Sequence, residues 1–492
     1  MGDHVITGIS TYLLKHIPMF NNWNRRDFLK RTSAATLSAM AAGAPMTQFL
    51  ASCNRKKINS KADTVILLWM AGGMPHTETF DPKKFTPFKK GMEANSVLST
   101  FNPVPTVLDG ISFSEGLESI GKVMDKGTLI RSYVAADLGF ILHSRHQYHW
   151  HTCYEPPQTV AAPHIGSWIA KELGPLNPVI PAFVDIGQRF TVGEGEELKA
   201  FHTAGFLGNE YGPFMIPDPS TGLETVQPPP GMSSKRFESR NKLYAELIKK
   251  SPLGEYGSDY QKESLKRSME QAYMLLRSPE AKAFDLTTEP KESYDIYNTG
   301  RFGLGCLMAR RLTEKGARFI SVTTEYEPFK GWDTHDNGNT RIKDMKKMID
   351  GPVAQLIKDL DKSGHLERTI VILASEFSRD MMVEGRPGAK VQEQVEQPDI
   401  IHEMKNYGMH RHFTDGCSIL MFGGGIRKGY AYGKTADERP CKTIDKPIKI
   451  DQIHQTIYTA LGIPNDAHYV IEERPFYTTP DGHGKAVTGL FA

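Results

Sequence analysis

Apolar runs that alternate with amphipathic stretches dominate the chain after residue 60. Residues 64–71 are almost continuously apolar and end in Gly72-Gly73, a pattern typical of a buried central strand followed by a tight turn. Further strands are predicted at 128–134, 182–186, 318–324, 369–375 and 418–422. Helices are predicted at 237–250, 260–277, 302–315, 341–363 and 451–461, the last with Asp451 as its N-cap. Strands that alternate with helices predict an α/β fold with a mostly parallel central sheet and helices on both faces.

The composition fits a globular protein with a large core. Of the 492 residues, 39% are apolar and 24% are charged. Residues 64–492 are predicted to form a single domain, and the basic, polar residues 53–63 a tether in front of it. The Pro/Gly-rich residues 208–232 predict a surface excursion. The charged residues 380–407 predict a loop insertion, either a lid over a site or a flexible segment.

The N-terminal 52 residues predict an export signal. Asn24-Arg25-Arg26-Asp27-Phe28-Leu29-Lys30 is close to a twin-arginine motif, and the uncharged residues 32–54 are too weakly apolar for a stable membrane span. The alternative is a surface helix with an incidental arginine pair. Leu50-Ala51-Ser52-Cys53 predicts a lipobox, with acylated Cys53 as the only membrane attachment; the alternative is cleavage nearby with Cys53 incidental. The expected location is the periplasm or cell envelope.

Charge and cysteine content exclude two classes of function. The net charge is +2, and about −1 without residues 1–52, with no basic stripe, so nucleic acid is not an expected partner. Apart from Cys53, the chain has four widely spaced cysteines at 153, 306, 417 and 441. This spacing fits neither a disulfide scaffold nor a zinc ribbon and predicts free, buried thiols.

Candidate metal ligands lie in two stretches of the last third of the chain. Asp333 and His335 follow the strand at 318–324, and His410 and His412 precede the strand at 418–422. In extended backbone, residues two apart point to the same side, so each pair can reach one ion. The alternatives are an aspartate-capped turn and surface histidines, since the chain has seventeen histidines. Carboxylates and imidazoles near strand ends predict a site for one divalent ion, with zinc or calcium as the expected metals.

Glu376 and Arg379 are candidate catalytic residues. Glu376 directly follows the strand at 369–375, so its carboxylate is expected at the edge of the sheet, as a ligand or a base. Arg379 is expected either to pair with Glu376 or to grip an anionic ester oxygen with its guanidinium.

A histidine-rich segment after the strand at 128–134 adds further candidates. Its four histidines fall within nine residues, at 143, 146, 149 and 151. His143 is a candidate acid, base or ligand, Ser144 a candidate nucleophile, and Arg145 a candidate holder of anionic oxygens. The alternative is a polar substrate-binding loop without ligands.

Short motifs follow one another in a distinctive order through the chain. They include Thr79-Phe80-Asp81-Pro82-Lys83, Pro181-Ala182-Phe183-Val184, Gly205-Phe206-Leu207, Ala283-Phe284-Asp285-Leu286, Trp332-Asp333-Thr334-His335, Glu376-Phe377-Ser378-Arg379 and Gly423-Gly424-Gly425-Ile426-Arg427. In this order they resemble the domain of unknown function 1501 family, over nearly everything after residue 60. That family consists of exported bacterial proteins, often with twin-arginine signals, grouped with the alkaline phosphatase and sulfatase superfamily.

The resemblance implies an α/β/α sandwich that is alkaline phosphatase/sulfatase-like and hydrolyses phosphate or sulfate esters. Asp333, His335 and His412 match the Asp and two His that hold one metal in that superfamily. For the second metal, the superfamily uses an Asp after the first strand and an Asp-His pair, where this chain has Gly72 and Glu376-Phe377. The sulfatase nucleophile pattern Cys/Ser-x-Pro-x-Arg is also absent, so one metal and no formylglycine are expected.

These observations predict an exported metal-dependent hydrolase of a phosphate or sulfate ester, with an anionic substrate such as a sulfated or phosphorylated glycan. A non-catalytic envelope protein that binds glycan or a protein partner is the first alternative, because the second set of metal ligands is missing. A hydrolase with a site built around residues 143–151 is the second. The sequence leaves the oligomeric state open.

Overall fold

Ten strands of the computed structural model position the site. In chain order they are β1 (Thr64–Trp69), β2 (Gly127–Tyr133), β3 (Phe183–Ile186), β4 (Phe214–Ile216), β5 (Phe319–Thr323), β6 (Thr369–Ala374), β7 (Ser378–Asp380), β8 (Arg411–Phe413), β9 (Cys417–Phe422) and β10 (Tyr430–Tyr432). The structure describes residues 59–139, 141–156, 160–189, 203–228, 231–250, 259–388, 396–471 and 473–492. The predicted export motif, the lipobox and most of the predicted tether lie outside the described residues.

Eight of these strands form the central sheet, in the order β10-β2-β9-β6-β1-β5-β3-β4. Neighbours are parallel except at β9, which runs antiparallel to both β2 and β6. The mostly parallel sheet is therefore confirmed, and the predicted strands are present within two residues of their expected bounds. The prediction for residues 208–232 is wrong in part, because this segment contributes β4, an edge strand that pairs with β3.

The longer helices lie between or after the strands. They are α1 (His143–Thr152), α2 (Ile165–Leu173), α3 (Ser234–Lys250), α4 (Asp259–Arg277), α5 (Lys291–Tyr297), α6 (Arg301–Glu314), α7 (Gly338–Lys362) and α8 (Ile450–Leu461). The sequence predicted five of them and missed α1, α2 and α5. The prediction of Asp451 as N-cap is also wrong: Lys449 caps α8, the Gln452 side chain accepts from its backbone N–H at 3.0 Å, and Asp451 lies in the first turn.

Smaller elements surround this framework. Two-stranded antiparallel pairs join Met92–Glu93 to Ile400–Ile401, Pro103–Pro105 to Ser112–Ser114, Lys434–Thr435 to Thr443–Asp445, and His468–Ile471 to Arg474–Tyr477. Single helical turns occur at Glu118–Gly121 and Gly222–Thr225. Strands β7 and β8 also form an antiparallel pair, with Arg379 opposite His412.

Two apolar cores cover the two faces of the sheet. Successive side chains of a strand point to opposite faces, and the residues of β1 divide accordingly. Ile66 and Leu68 pack in a core that includes residues of α6 and α7. Val65, Leu67 and Trp69 pack in a second core that includes residues of α2 and α8. The expected α/β/α layers are confirmed.

Cysteines and helices in the described part of the chain add two findings. Cys153, Cys306, Cys417 and Cys441 are free and buried, as predicted. Among the described helices, no candidate for a membrane span is found.

Candidate metal centre

The direction of the strands brings distant segments to one edge of the sheet. Because β1, β2, β5 and β6 run the same way, the segments that follow them begin at a common edge. Strand β9 runs the opposite way, so the residues that precede it arrive at this same edge. Ligands bind outside the carboxyl ends of strands in open α/β sheets. His143, Asp333 and Glu376 follow β2, β5 and β6, and His412 precedes β9.

The turn after β1 leaves room for the site. Gly72 and Gly73 have φ values of +119° and +82°, which L side chains rarely adopt. A Cβ on Gly72 would lie 2.6 Å from the backbone nitrogen of Asp333, and one on Gly73 would lie 2.8 Å from the ring of Phe377. The predicted tight turn therefore requires glycine at both positions for two reasons. The positive φ values disfavour any other residue, and a Cβ would come too close to neighbouring atoms.

Four buried side chains direct potential ligand atoms at one point. His143, Asp333, His335 and His412 each offer one atom, and these atoms lie within 4.8 Å of one another. Asp333 Oδ1 is 2.8 Å from His335 Nε2 and 3.1 Å from His143 Nε2. His143 Nε2 is also 3.1 Å from His412 Nε2. We call these four residues the ligand group.

In two of these histidines, the ring nitrogen that points away from the ligand group lies against a glutamate carboxylate. Glu376 Oε1 lies 2.6 Å from His143 Nδ1 and accepts from the backbone N–H of Gly72 at 2.9 Å. Glu384 Oε1 lies 2.6 Å from His412 Nδ1. Histidines that ligate metals usually donate their other ring N–H to a carboxylate or carbonyl, which fixes the tautomer and the ring orientation.

Arg379 supplies a fixed positive charge next to the ligand group. Its side chain is fully buried, and its guanidinium donates to the carbonyls of Gly72, Thr334 and His410 at 2.8–3.0 Å. It also donates to Asp333 Oδ1 and lies 3.1 Å from His143 Nε2. The expected pairing of Arg379 with Glu376 is wrong, because the guanidinium pairs with Asp333.

The electrostatic environment keeps Asp333 ionised. Burial alone would raise the pKa of its carboxyl, but the charges of His143 and Arg379 and hydrogen bonds from two histidines lower that pKa. For His143, burial opposes the charged form, yet Asp333 and Glu376 raise the pKa of the imidazole. Burial lowers the pKa of His335 and His412, which favours the neutral imidazole that binds metals.

The other predicted site residues lie outside the ligand group. His410 Nδ1 is 3.0 Å from Gln397 Oε1, and its Nε2 accepts from the backbone N–H of Gly338 at 3.1 Å. Both ring nitrogens of this predicted ligand are thus engaged outside the ligand group. The structure instead adds His143 to Asp333, His335 and His412.

Ser144 and Arg145 follow His143 in the first turn of α1. Adjacent helical residues do not share a face, so Ser144 does not point where His143 points. Arg145 Nη2 donates to the carbonyl of Pro156 at 2.8 Å, and its buried Nε has no hydrogen-bond partner in the described part of the chain.

No sequence pattern singled out Glu384, which lies inside the predicted insertion at 380–407. Part of this segment packs against the site: Gln397 Nε2 donates to the carbonyl of His335 at 3.2 Å. Ile400–Ile401 also pairs with Met92–Glu93. The insertion therefore contacts the ligand group at Gln397 and is joined to the rest of the fold at Ile400–Ile401.

The donor set suits a divalent metal ion. Three imidazole nitrogens and one carboxylate oxygen are ligands that zinc and other late first-row metals prefer, whereas calcium takes six to eight oxygens. Zinc binds nitrogen and oxygen at about 2.0–2.2 Å, so ligand atoms around one ion lie about 3–4 Å apart. The separations of 2.8 and 3.1 Å within the ligand group are close to this spacing.

Fold and site together define an α/β protein with a candidate metal centre at one edge of a mostly parallel sheet. The chain belongs to the family described as "Protein of unknown function (DUF1501)", whose model matches residues 62–491. A comparison with curated protein sequences gives no match.

Solved structures with similar folds include sulfatases and phosphatases. Ps i-CgsB matches at 11% identity, over 89% of this chain and 76% of that chain, with a TM-score of 0.37. The PsFucS1 sulfatase from Pseudoalteromonas sp. matches at 12% identity, over 88% and 72%, with a TM-score of 0.33. The alkaline phosphatase from the Antarctic bacterium TAB5 matches at 11% identity, over 82% and 98%, with a TM-score of 0.33.

Proposed function

We propose that this protein is a metal-dependent hydrolase of an anionic ester, a phosphate or a sulfate. The observation that carries the proposal is the convergence of three imidazole nitrogens and one carboxylate oxygen within 4.8 Å. Two of these imidazoles are braced by carboxylates on their other ring nitrogen. Asp333, His335 and His412 would hold one ion, and the donor set favours zinc over calcium.

A divalent ion bound here would polarise an ester oxygen as a Lewis acid and would lower the pKa of a water molecule bound to it. Around it, Glu376 orients His143 so that Nε2 faces the ligand group. His143 is therefore either a fourth ligand or the group that gives and takes a proton. Asp333 accepts from Arg379, which balances the negative charge of the carboxylate inside the protein.

Arg145 is the candidate contact for the anionic oxygens of the substrate. Arg379 does not suit that role, because its guanidinium is occupied by three carbonyls and Asp333. Arg145 has a buried Nε without a hydrogen-bond partner in the described residues, and this free donor is the support for the role. A sulfated or phosphorylated glycan is the class of substrate that we propose.

A non-catalytic metal-binding protein is the second candidate function. The four side chains of the ligand group are at most 7% exposed. If all four bind the ion, they complete a tetrahedral shell, which is typical of structural rather than catalytic zinc. Such a protein would bind metal without turnover.

Metal analysis and turnover assays on the same preparation test both candidates. Protein purified without chelator is expected to carry one divalent ion per chain and to hydrolyse an aryl phosphate or aryl sulfate. The double variant Asp333→Ala/His412→Ala is expected to lose both. One ion without turnover of either ester class would favour the second candidate, and no ion in folded wild-type protein would contradict both.

We also propose that the chain is exported by the twin-arginine route and anchored through Cys53. The support is the motif around Arg25-Arg26 and the lipobox before Cys53. In a bacterial host with a twin-arginine system, an Arg25→Lys/Arg26→Lys variant is expected to remain in the cytoplasm. Export of that variant at the wild-type level would contradict the proposal.

A further inference from the structure

Glu384 contacts His412 through both of its carboxylate oxygens. Oε1 lies 2.6 Å from the ring Nδ1 of His412, and Oε2 accepts from the backbone N–H of the same residue at 3.2 Å. Glu384 is 9% exposed, and His412 is fully buried. One side chain therefore fixes both the backbone and the ring of a single histidine.

The backbone around Glu384 is itself tied to the strand that carries His412. The N–H of Gly385 donates to the carbonyl of His412 at 2.7 Å, and the N–H of Thr414 donates to the carbonyl of Gly385 at 2.8 Å. These bonds add a third short segment beside the β7–β8 pair. The carboxylate is therefore held in place by the fold and does not depend on a flexible loop.

An ionised carboxylate only accepts hydrogen bonds, so the His412 nitrogen that faces it carries the proton. That tautomer leaves a lone pair on Nε2, the atom that faces His143 Nε2 at 3.1 Å. A carboxylate on the far nitrogen also makes an imidazole a stronger ligand, and its removal typically weakens metal binding about 10–100-fold.

We propose that Glu384 is a positioning residue of the metal centre, which selects the tautomer of His412 and directs its Nε2 at the ion. This inference rests on the proposed metal-dependent function. It deepens that function by assigning a second carboxylate brace beside Glu376. It also gives the 380–407 insertion a role, because its first described residues complete the centre.

Two substitutions of Glu384 separate charge from orientation. Glu384→Gln keeps an oxygen that accepts from Nδ1 but removes the charge, whereas Glu384→Ala removes both. Glu403→Gln is the matched control, since its side chain is 63% exposed and lies in the same insertion. Zinc affinity is measured by competition with a chromophoric chelator, and the His412 tautomer by nitrogen-15 NMR of histidine-labelled protein with chelator present.

We expect zinc to bind roughly 10-fold more weakly in Glu384→Gln and up to 100-fold more weakly in Glu384→Ala, with the control unchanged. The His412 tautomer is expected to persist in Glu384→Gln and to become mixed in Glu384→Ala. Zinc binding within twofold of wild type in both variants would overturn the inference, and so would an unchanged tautomer in Glu384→Ala. If wild-type protein binds no zinc, the proposed function fails, while the tautomer measurement still tests Glu384.

Discussion

Two groups of buried histidines at opposite ends of helix α1 have contrasting surroundings. His143, at the start of the helix, belongs to the ligand group and faces Asp333 and Glu376. His151, near its end, lies against the rings of Trp69 and Trp150 and stacks on His164 at 4.7 Å. His454 Nε2 donates to the carbonyl of Trp150 at 2.7 Å. We call His151, His164 and His454 the core histidines.

The neighbours of each ring explain the difference. Carboxylates lie beside His143 and raise the pKa of its imidazole despite burial. The core histidines lie among aromatic side chains, where burial lowers the pKa of His164 to about 3 and that of His454 to about 4. In this protein, the histidines beside carboxylates form the candidate metal centre, and those among aromatic rings belong to the apolar core.

The largest expected effect is on metal binding, from a change in the ligand group. Asp333→Asn keeps the size of the side chain but removes the charge that attracts the ion and pairs with Arg379. Loss of a charged ligand is expected to weaken zinc binding by at least about 100-fold, more than loss of an outer carboxylate. The control Asp336→Asn changes a carboxyl whose side chain is 55% exposed. Equal zinc affinity in the two variants, by chelator competition, would remove Asp333 from the ligand set.

The next effect concerns the charge balance of the ligand group. Arg379→Met leaves Asp333 buried without its arginine partner, which typically costs about 3–5 kcal/mol. A bound ion would restore positive charge beside Asp333, so the loss in the free energy of unfolding should be smaller with excess zinc than with chelator. Urea denaturation under both conditions measures this. An identical loss with and without zinc would show that the ion does not contact Asp333.

The core histidines predict an acid-sensitive stability that zinc does not change. The pKa of His454 is lowered on folding, so its contribution is present above the unfolded pKa near 6.5 and is lost as the pH falls toward 4. The loss from this residue is roughly 2–3 kcal/mol. Among the described residues, His454 contacts aromatic rings and the carbonyl of Trp150, and no carboxylate offsets this loss.

A single substitution checks that prediction. His454→Gln can still donate to Trp150 but does not titrate, so its urea midpoint should fall less than that of wild type between pH 6.5 and 4. The exposed His468→Gln serves as control. The same pH slope in wild type and His454→Gln would show that folding does not lower the pKa of His454.

The smallest expected effect is that of alanine in place of a glycine with positive φ. Two such glycines distinguish the cost of a steric clash from the cost of backbone strain. Gly73 and Gly91 share a φ of +82°, but a Cβ would meet Phe377 and Arg379 at Gly73 and nothing within 4 Å at Gly91. Alanine at Gly91 is expected to cost about 1 kcal/mol, and alanine at Gly73 about 1–3 kcal/mol more, from overpacking. Only Gly73→Ala should also weaken zinc binding. Equal stability and zinc affinity in the two variants would mean that the turn does not constrain the site.

The sequence predicted the fold better than it predicted the site. Continuous apolar runs and helical patterns are local, so β1, β5, β6 and α7 were visible in them. The antiparallel direction of β9 and the pairing of Arg379 with His412 across β7 and β8 depend on tertiary packing, which no local pattern records. His410 and His412 were predicted as ligands from the same two-residue spacing, yet only His412 lies in a strand and belongs to the ligand group.

Anomalous diffraction at the zinc absorption edge, from crystals of wild-type protein grown with zinc and without chelator, tests the metal centre most directly. The ligand group predicts one ion per chain, about 2.0–2.2 Å from an oxygen of Asp333 and from Nε2 of His335 and His412. The distance to His143 Nε2 would then show whether this residue is a fourth ligand or stands beside the ion. Crystals in which zinc is absent from this point, with Arg379 and Asp333 still paired, would contradict a metal centre here.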